Sequence, residues 1–188
     1  MTPSKYMAGE TTDETMDAQL YVAHIRQELN QLSSQGLGHQ PINKEQASAV
    51  KNFFDDLDQE KMQRGLEAFG LSMPDLNGHS LDHILSLGKN YPKDHKQFEP
   101  FLRENGFYPG DARGSHFKYH HENNPKQWIT YSAHAKLGST GKTMVAAMQT
   151  FMLKDYMHQM ENTLKNVPKR FARTQRKRAK QARKQLYR

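Results

Sequence analysis

The last 21 residues, PKRFARTQRKRAKQARKQLYR, carry ten lysines or arginines and no acid. A segment of that charge density cannot be buried, so it must lie outside any hydrophobic core. The whole chain holds 27 basic and 20 acidic residues; residues 1–167 therefore keep 17 basic against 20 acidic, near −3, while the tail alone is +10. The high isoelectric point belongs to the tail and not to the body.

Dense Lys and Arg neutralise phosphate and release counterions, attract anionic lipid, or serve as a receptor-read nuclear address. The tail is rich in Arg, Lys, Gln and Ala and has no Gly or Pro after Pro168, so a basic helix is expected, at least on a polyanion. Its few apolar residues make a shallow face for a membrane. Nucleic acid is the leading partner, held by Lys169, Arg170, Arg173, Arg176, Lys177, Arg178, Lys180, Arg183, Lys184 and Arg188. A protein partner and an anionic membrane surface are the alternatives.

The 188 residues leave room for one domain with appendages. Hydrophobic residues make up 35%, which points to a modest core. The longest apolar stretch, Met144–Met148, is far short of the ~20 residues of a membrane span, and MTPSKYMAGETTDE has no hydrophobic run of a secretory signal. The expected location is cytoplasmic or, in a eukaryotic setting, nuclear, with secretion by a signal-less route as a third option. Absence of cysteine removes disulfides, thiol nucleophiles and sulfur-ligated zinc.

Residues 1–12 are polar and aperiodic and are expected to be disordered. From Asp13 to Ser34, Val22, Ile25, Leu29 and Leu32 recur at helical spacing, and Gly36, Gly38 and Pro41 follow, so residues 1–42 are expected to form a mobile arm with one amphipathic helix. Residues 43–167 are expected to be a small globular domain. In it Asn43 with Gln46 forms a capping box before Ala47, Val50, Phe53, Phe54 and Leu57, and a second helix over Asp58–Phe69 stops at Gly70. Shorter helices are expected near Ser80–Leu87 and Glu99–Asn105, the latter with Pro100 in its first turn. Tyr108, Pro109 and Gly110 break the helical pattern, and HFKYHH and WITYSAHAK, separated by ENNPKQ, predict a β-hairpin over about 115–136. A long amphipathic helix over Lys142–Asn166 follows, its methionines filling the core. The fold class is α+β, mainly α: a small helical domain with one β-hairpin, a long C-terminal amphipathic helix and a basic tail.

Three constellations bear on chemistry. GSTGKT, residues 138–143, lies between a predicted strand and a predicted helix, but Lys136 stands where a phosphate-binding P-loop needs its first glycine. What remains is a helix start at which Ser139, Thr140, Lys142 and Thr143 favour an anion, or else a cap and a turn. In the hairpin, strand alternation puts His116, Lys118 and His120 on one face and His134 on a face of the partner strand. Convergence of these histidines would suit a divalent metal or, with Glu122, acid–base cleavage of a phosphodiester; the plainer reading is a solvated sheet face, and no metal or cofactor is assigned. Exposed Trp128 is a candidate stacking platform. In NGHSLDH, Ser80 suits a helix cap better than a triad. No motif spells out a reaction. The functional expectation is a nucleic-acid (polyanion) binding protein whose tail makes sequence-independent phosphate contacts; the alternatives are a protein-interaction or effector-type module with a localisation tail, and a His-dependent phosphodiesterase or nuclease.

Overall fold

The fold comes from a computed structural model that describes residues 5–35, 43–114, 116–132, 137–169 and 171–187. In chain order the elements are α1 (Lys5–Ser34), α2 (Lys44–Asp55), α3 (Gln59–Ala68), α4 (Leu81–Ser86), α5 (His95–Glu104), β1 (Phe107–Arg113), β2 (His116–His121), β3 (Asn124–Ser132), α6 (Leu137–Leu164) and α7 (Phe171–Leu186). The chain is α+β and mainly α, with seven helices and a three-stranded antiparallel sheet among the described residues. Two compact units emerge. One comprises 1–35, 56–74 and 160–188, the other 36–55 and 75–159. None of the described helices is long and apolar enough to cross a membrane.

In the first unit α1 packs along α3. The stripe read from the sequence is the one that packs: Val22, Ile25 and Leu29 are buried, as are Met62 and Leu66 of α3. Polar contacts fix the pairing. The Asp58 N–H donates to the Tyr21 hydroxyl at 2.8 Å, and Lys61 Nζ meets Asp17 Oδ2 at 2.8 Å. α1 begins at Lys5, so most of the stretch expected to be disordered is its first two turns. Gly9, a poor helix residue, and the lack of an apolar stripe there hide this from a periodicity argument.

The second unit holds α2, α4, α5, the sheet and most of α6. The capping box at α2 forms as expected: Gln46 N–H donates to Asn43 Oδ1 at 2.8 Å, and Asn43 N–H to Gln46 Oε1 at 3.2 Å. Ser80 caps α4 through the His83 N–H. α5 corrects the sequence reading, for it starts at His95 with Asp94 accepting from the Lys96 N–H at 3.1 Å, and Pro100 is its sixth residue and not a first-turn residue. The cap and the burial of Phe98, Phe101 and Leu102 outweigh the hydrogen bond that Pro100 cannot donate.

The sheet has one strand more than the predicted hairpin. β1 pairs antiparallel with β2, so the order is β1-β2-β3, and the register shifts between Pro109 and Ala112. Pro109 and Gly110 sit at this irregularity on an edge strand, where a missing N–H and a kink are tolerated. The β2–β3 hairpin turns at Glu122 and Asn123, tighter than ENNPKQ suggested, with His116 opposite Ser132, Lys118 opposite Thr130 and His120 opposite Trp128. Tyr119, Ile129 and Tyr131 point inward, and Phe98 stacks on Tyr131 with ring centroids 5.6 Å apart.

Burial, with Glu99 nearby as charge and hydrogen-bond partner, pushes the Tyr119 hydroxyl up to about 12. The unfolded chain loses this proton near pH 10 and the folded chain keeps it until about 12, so stability is retained below pH 10 and falls as pH rises between the two. Burial moves Tyr21, Tyr131 and Tyr156 in the same direction. Urea midpoints measured from pH 9 to 12 should therefore decline, and less steeply in Tyr119→Phe; an identical decline in both proteins would refute the assignment.

Candidate nucleic-acid interface

The tail forms α7, a helix with no acidic residue. At 100° per residue Arg173, Arg176, Lys177, Lys180 and Lys184 fall within about 100° of one another and make one cationic face. Phe171, Ala179, Ala182 and Leu186 lie on the opposite side. Phe171 anchors the helix start, its ring edge-on to Phe69 with centroids 5.1 Å apart. Arg178 and Arg183 lie off the main face, and all seven of these basic side chains are exposed.

The cationic face does not stand alone. A cleft of about 500 Å³ lies between it and α1, lined on the α1 side by Ala23, Arg26, Gln27 and Asn30 and on the other by Lys169, Arg173, Arg176, Lys177 and Lys180. Arg26 Nη1 donates to the Val167 carbonyl at 2.8 Å, which fixes the guanidinium where the chain turns toward α7. Arg176 Nη2 reaches Gln27 Oε1 at 3.4 Å. Six cations thus surround one cleft, and no carboxylate lines it among the described residues. Positive potential concentrated in a concave site attracts anions more strongly than the same charges spread over a convex surface.

Of the ten tail residues singled out in the sequence, Lys169, Arg173, Arg176, Lys177 and Lys180 line this cleft, while Arg178, Arg183 and Lys184 extend the charge along α7. Arg170 and Arg188 lie outside the described residues. Sequence reasoning missed Arg26. Nothing in its neighbourhood marks it, because its role arises only when α1 and the tail meet.

The other candidate residues are placed differently. GSTGKT is not a turn: α6 begins at Leu137, so both glycines are helical, and Thr140, Lys142 and Thr143 lie beyond the free N–H groups of the first turn. Ser139 falls in that turn, its side chain outside the described residues. His116 is exposed and His120 half-buried on the same face of β2, four residues apart and hence about 13 Å along the strand, too far to share a metal ion or one scissile bond. His134 lies outside the described residues. No group of metal-ligating side chains is present among the described residues.

His121, which sequence reasoning passed over, is buried and sets its Nδ1 3.2 Å from Asp155 Oδ2. Strand alternation carries the signal, since an outward His120 requires an inward neighbour. His79 and His83 stack with centroids 4.5 Å apart, their Nε2 atoms 2.9 Å from the Glu104 carbonyl and 2.8 Å from Asn105 Oδ1. These contacts tie the start of α4 to the end of α5. No family model, no curated protein and no solved structure matches the chain.

Proposed function

We propose that the protein binds nucleic acid through its phosphate backbone, with α7 and the facing stretch of α1 as the contact surface. The observation that carries this reading is the cleft bordered by Arg26, Lys169, Arg173, Arg176, Lys177 and Lys180, with no carboxylate in its lining among the described residues. Arginine forks and lysine ammonium groups match phosphate oxygens, and each contact releases condensed counterions. Binding of this kind is independent of sequence, because contacts to phosphate oxygens position a strand without carrying base information. Its role is to hold a strand.

Fluorescence anisotropy of labelled duplex DNA, duplex RNA and single strands, across a salt series with the intact chain, tests the reading. The expected result is a dissociation constant tighter than about 10⁻⁶ M near physiological salt, with log affinity falling steeply and linearly in log salt. A constant no tighter than about 10⁻⁴ M, or affinity indifferent to salt, would overturn it.

A further inference from the structure

The second unit contains a larger cavity, of about 970 Å³, for which the nucleic-acid reading has no use. Its size is near the upper end of small-molecule sites, which run from roughly 300 to 1,000 Å³. Three elements build it. α2 turns Lys44, Ala47, Ser48 and Lys51 toward it, at spacings of three and four, while Val50 and Phe54 go to the core. α6 contributes Ala146, Ala147, Thr150, Phe151 and Lys154 by the same periodicity, and β3 contributes Lys126 and Trp128.

The chemistry of the lining is uneven. Ala47, Ala146, Ala147, Phe151, Leu153 and Trp128 supply an apolar wall, and among the described residues every charged member of the lining is a lysine: Lys44, Lys51, Lys126 and Lys154. A cationic ligand would be repelled, and a purely apolar one would make no use of the lysines. Lys154 is only 3% exposed, and burial holds its ammonium below the usual lysine value, so the exposed Lys44, Lys51 and Lys126 are the lysines that meet an incoming anion. Gln149, the buried amide of the lining, already directs its N–H groups to the Ile84 and Leu85 carbonyls at 3.0 and 3.1 Å. Those donors cannot serve a nucleobase edge.

We propose that this cavity binds an organic anion with an apolar body, of the class of a medium- or long-chain carboxylate, the chain lying on the alanine, phenylalanine and leucine wall and the carboxylate among the lysines. The wall stabilises the ligand in proportion to the apolar area it covers, and the lysines select the sign of the head group. This site shares no lining residue with the α7 cleft and stands or falls without it.

Trp128 is the only tryptophan of the chain, lies in the cavity wall and is 49% exposed, so its fluorescence reports occupancy directly. Titration of the full-length protein with sodium decanoate should change Trp128 emission saturably, with a midpoint below about 1 mM, an affinity of ~4 kcal/mol. Decanol, with the same chain and no charge, should bind at least tenfold more weakly, and adenosine monophosphate should not compete. The double variant Lys51→Glu, Lys126→Glu, which changes two exposed side chains, should weaken decanoate at least tenfold. Ala147→Phe should abolish binding by filling the space, with circular dichroism checking the fold. Neutralising the cations of α7 should leave decanoate binding unchanged. Absence of a saturable signal, equal binding of decanol, displacement by the nucleotide, or an unaltered midpoint in the double lysine variant would each overturn the proposal.

Discussion

Replacing Arg173, Arg176, Lys177 and Lys180 together by glutamine should lower affinity for duplex DNA by as much as about a thousandfold at 0.15 M salt and flatten the log–log salt slope by up to about 3.6. The figures follow from one assumption, that all four cations neutralise a phosphate. Each such contact contributes ~0.9 to the slope, and extrapolating that slope from 1 M to 0.15 M salt turns four contacts into roughly three decades of affinity. Glutamine is a good helix former and keeps most of the side-chain length, so α7 should persist with its charge reduced. Stability should hardly change, because these are exposed residues and the described tertiary hydrogen bond among them is the 3.4 Å contact from Arg176 to Gln27. Circular dichroism and anisotropy on the same samples separate the two effects. A variant that remains helical and binds with unchanged slope would move the interface away from the α7 cleft. A slope reduced by only one or two units would mean that the strand runs along part of the face, and single replacements would then show which part.

Which features were legible in the sequence follows from the range of the interactions that make them. Capping is local, so Asn43 with Gln46, and Ser80 with the His83 N–H, could be read from three-residue spacings and were found as expected. Asp94 marks the start of α5 by the same local logic, whereas Pro100, which favours a first turn, lies in the helix interior because the cap and the buried Phe98, Phe101 and Leu102 extend the helix past it on the N-terminal side. β1 was hidden because Pro109 and Gly110 argue against a strand, and only pairing with β2 provides the edge position that accepts them. The early start of α6 was hidden by two glycines at positions 138 and 141; Gly141 is buried, and a Cβ there would meet Tyr91 at 3.4 Å, so its place in the helix reflects packing and not propensity. At the candidate site the cationic tail was plain from composition alone. Its concavity was not, since Arg26 and Val167 lie 141 residues apart in the chain and their hydrogen bond exists only in the fold. The four-lysine cavity was equally invisible, as Lys44, Lys51, Lys126 and Lys154 are unremarkable one by one.

Gly65→Ala should destabilise the protein by about 2 kcal/mol, lowering the melting temperature by about 4 to 8 °C for a chain of this size. On propensity alone the change should help, because alanine is favoured over glycine in a helix interior by roughly 1 kcal/mol. Packing decides otherwise. Gly65 lies in the middle of α3 against α1, and a Cβ there would stand 2.5 Å from Val22 Cγ2 and 2.7 Å from the Ala18 carbonyl carbon. The second neighbour is backbone and cannot rotate away, so α1 and α3 must separate, at the expense of contacts made by Val22, Ile25, Met62 and Leu66. Overpacking of this kind costs ~1 to 3 kcal/mol or more, and a main-chain obstacle puts it at the upper end, leaving a net loss after propensity is credited. Gly70 offers a contrast within the same unit. It ends the α3 region at φ +72° with no atom within 4 Å of the place an added methyl group would take, so Gly70→Ala meets only the left-handed backbone penalty of ~1 kcal/mol. Adding Val22→Ala to Gly65→Ala should not restore stability, because it relieves the side-chain clash, leaves the carbonyl in place and opens a void at a fully buried position. Thermal unfolding of the four proteins orders the effects, and a neutral or stabilising Gly65→Ala would show that the two helices do not approach as closely as the Ala18–Gly65 contact requires.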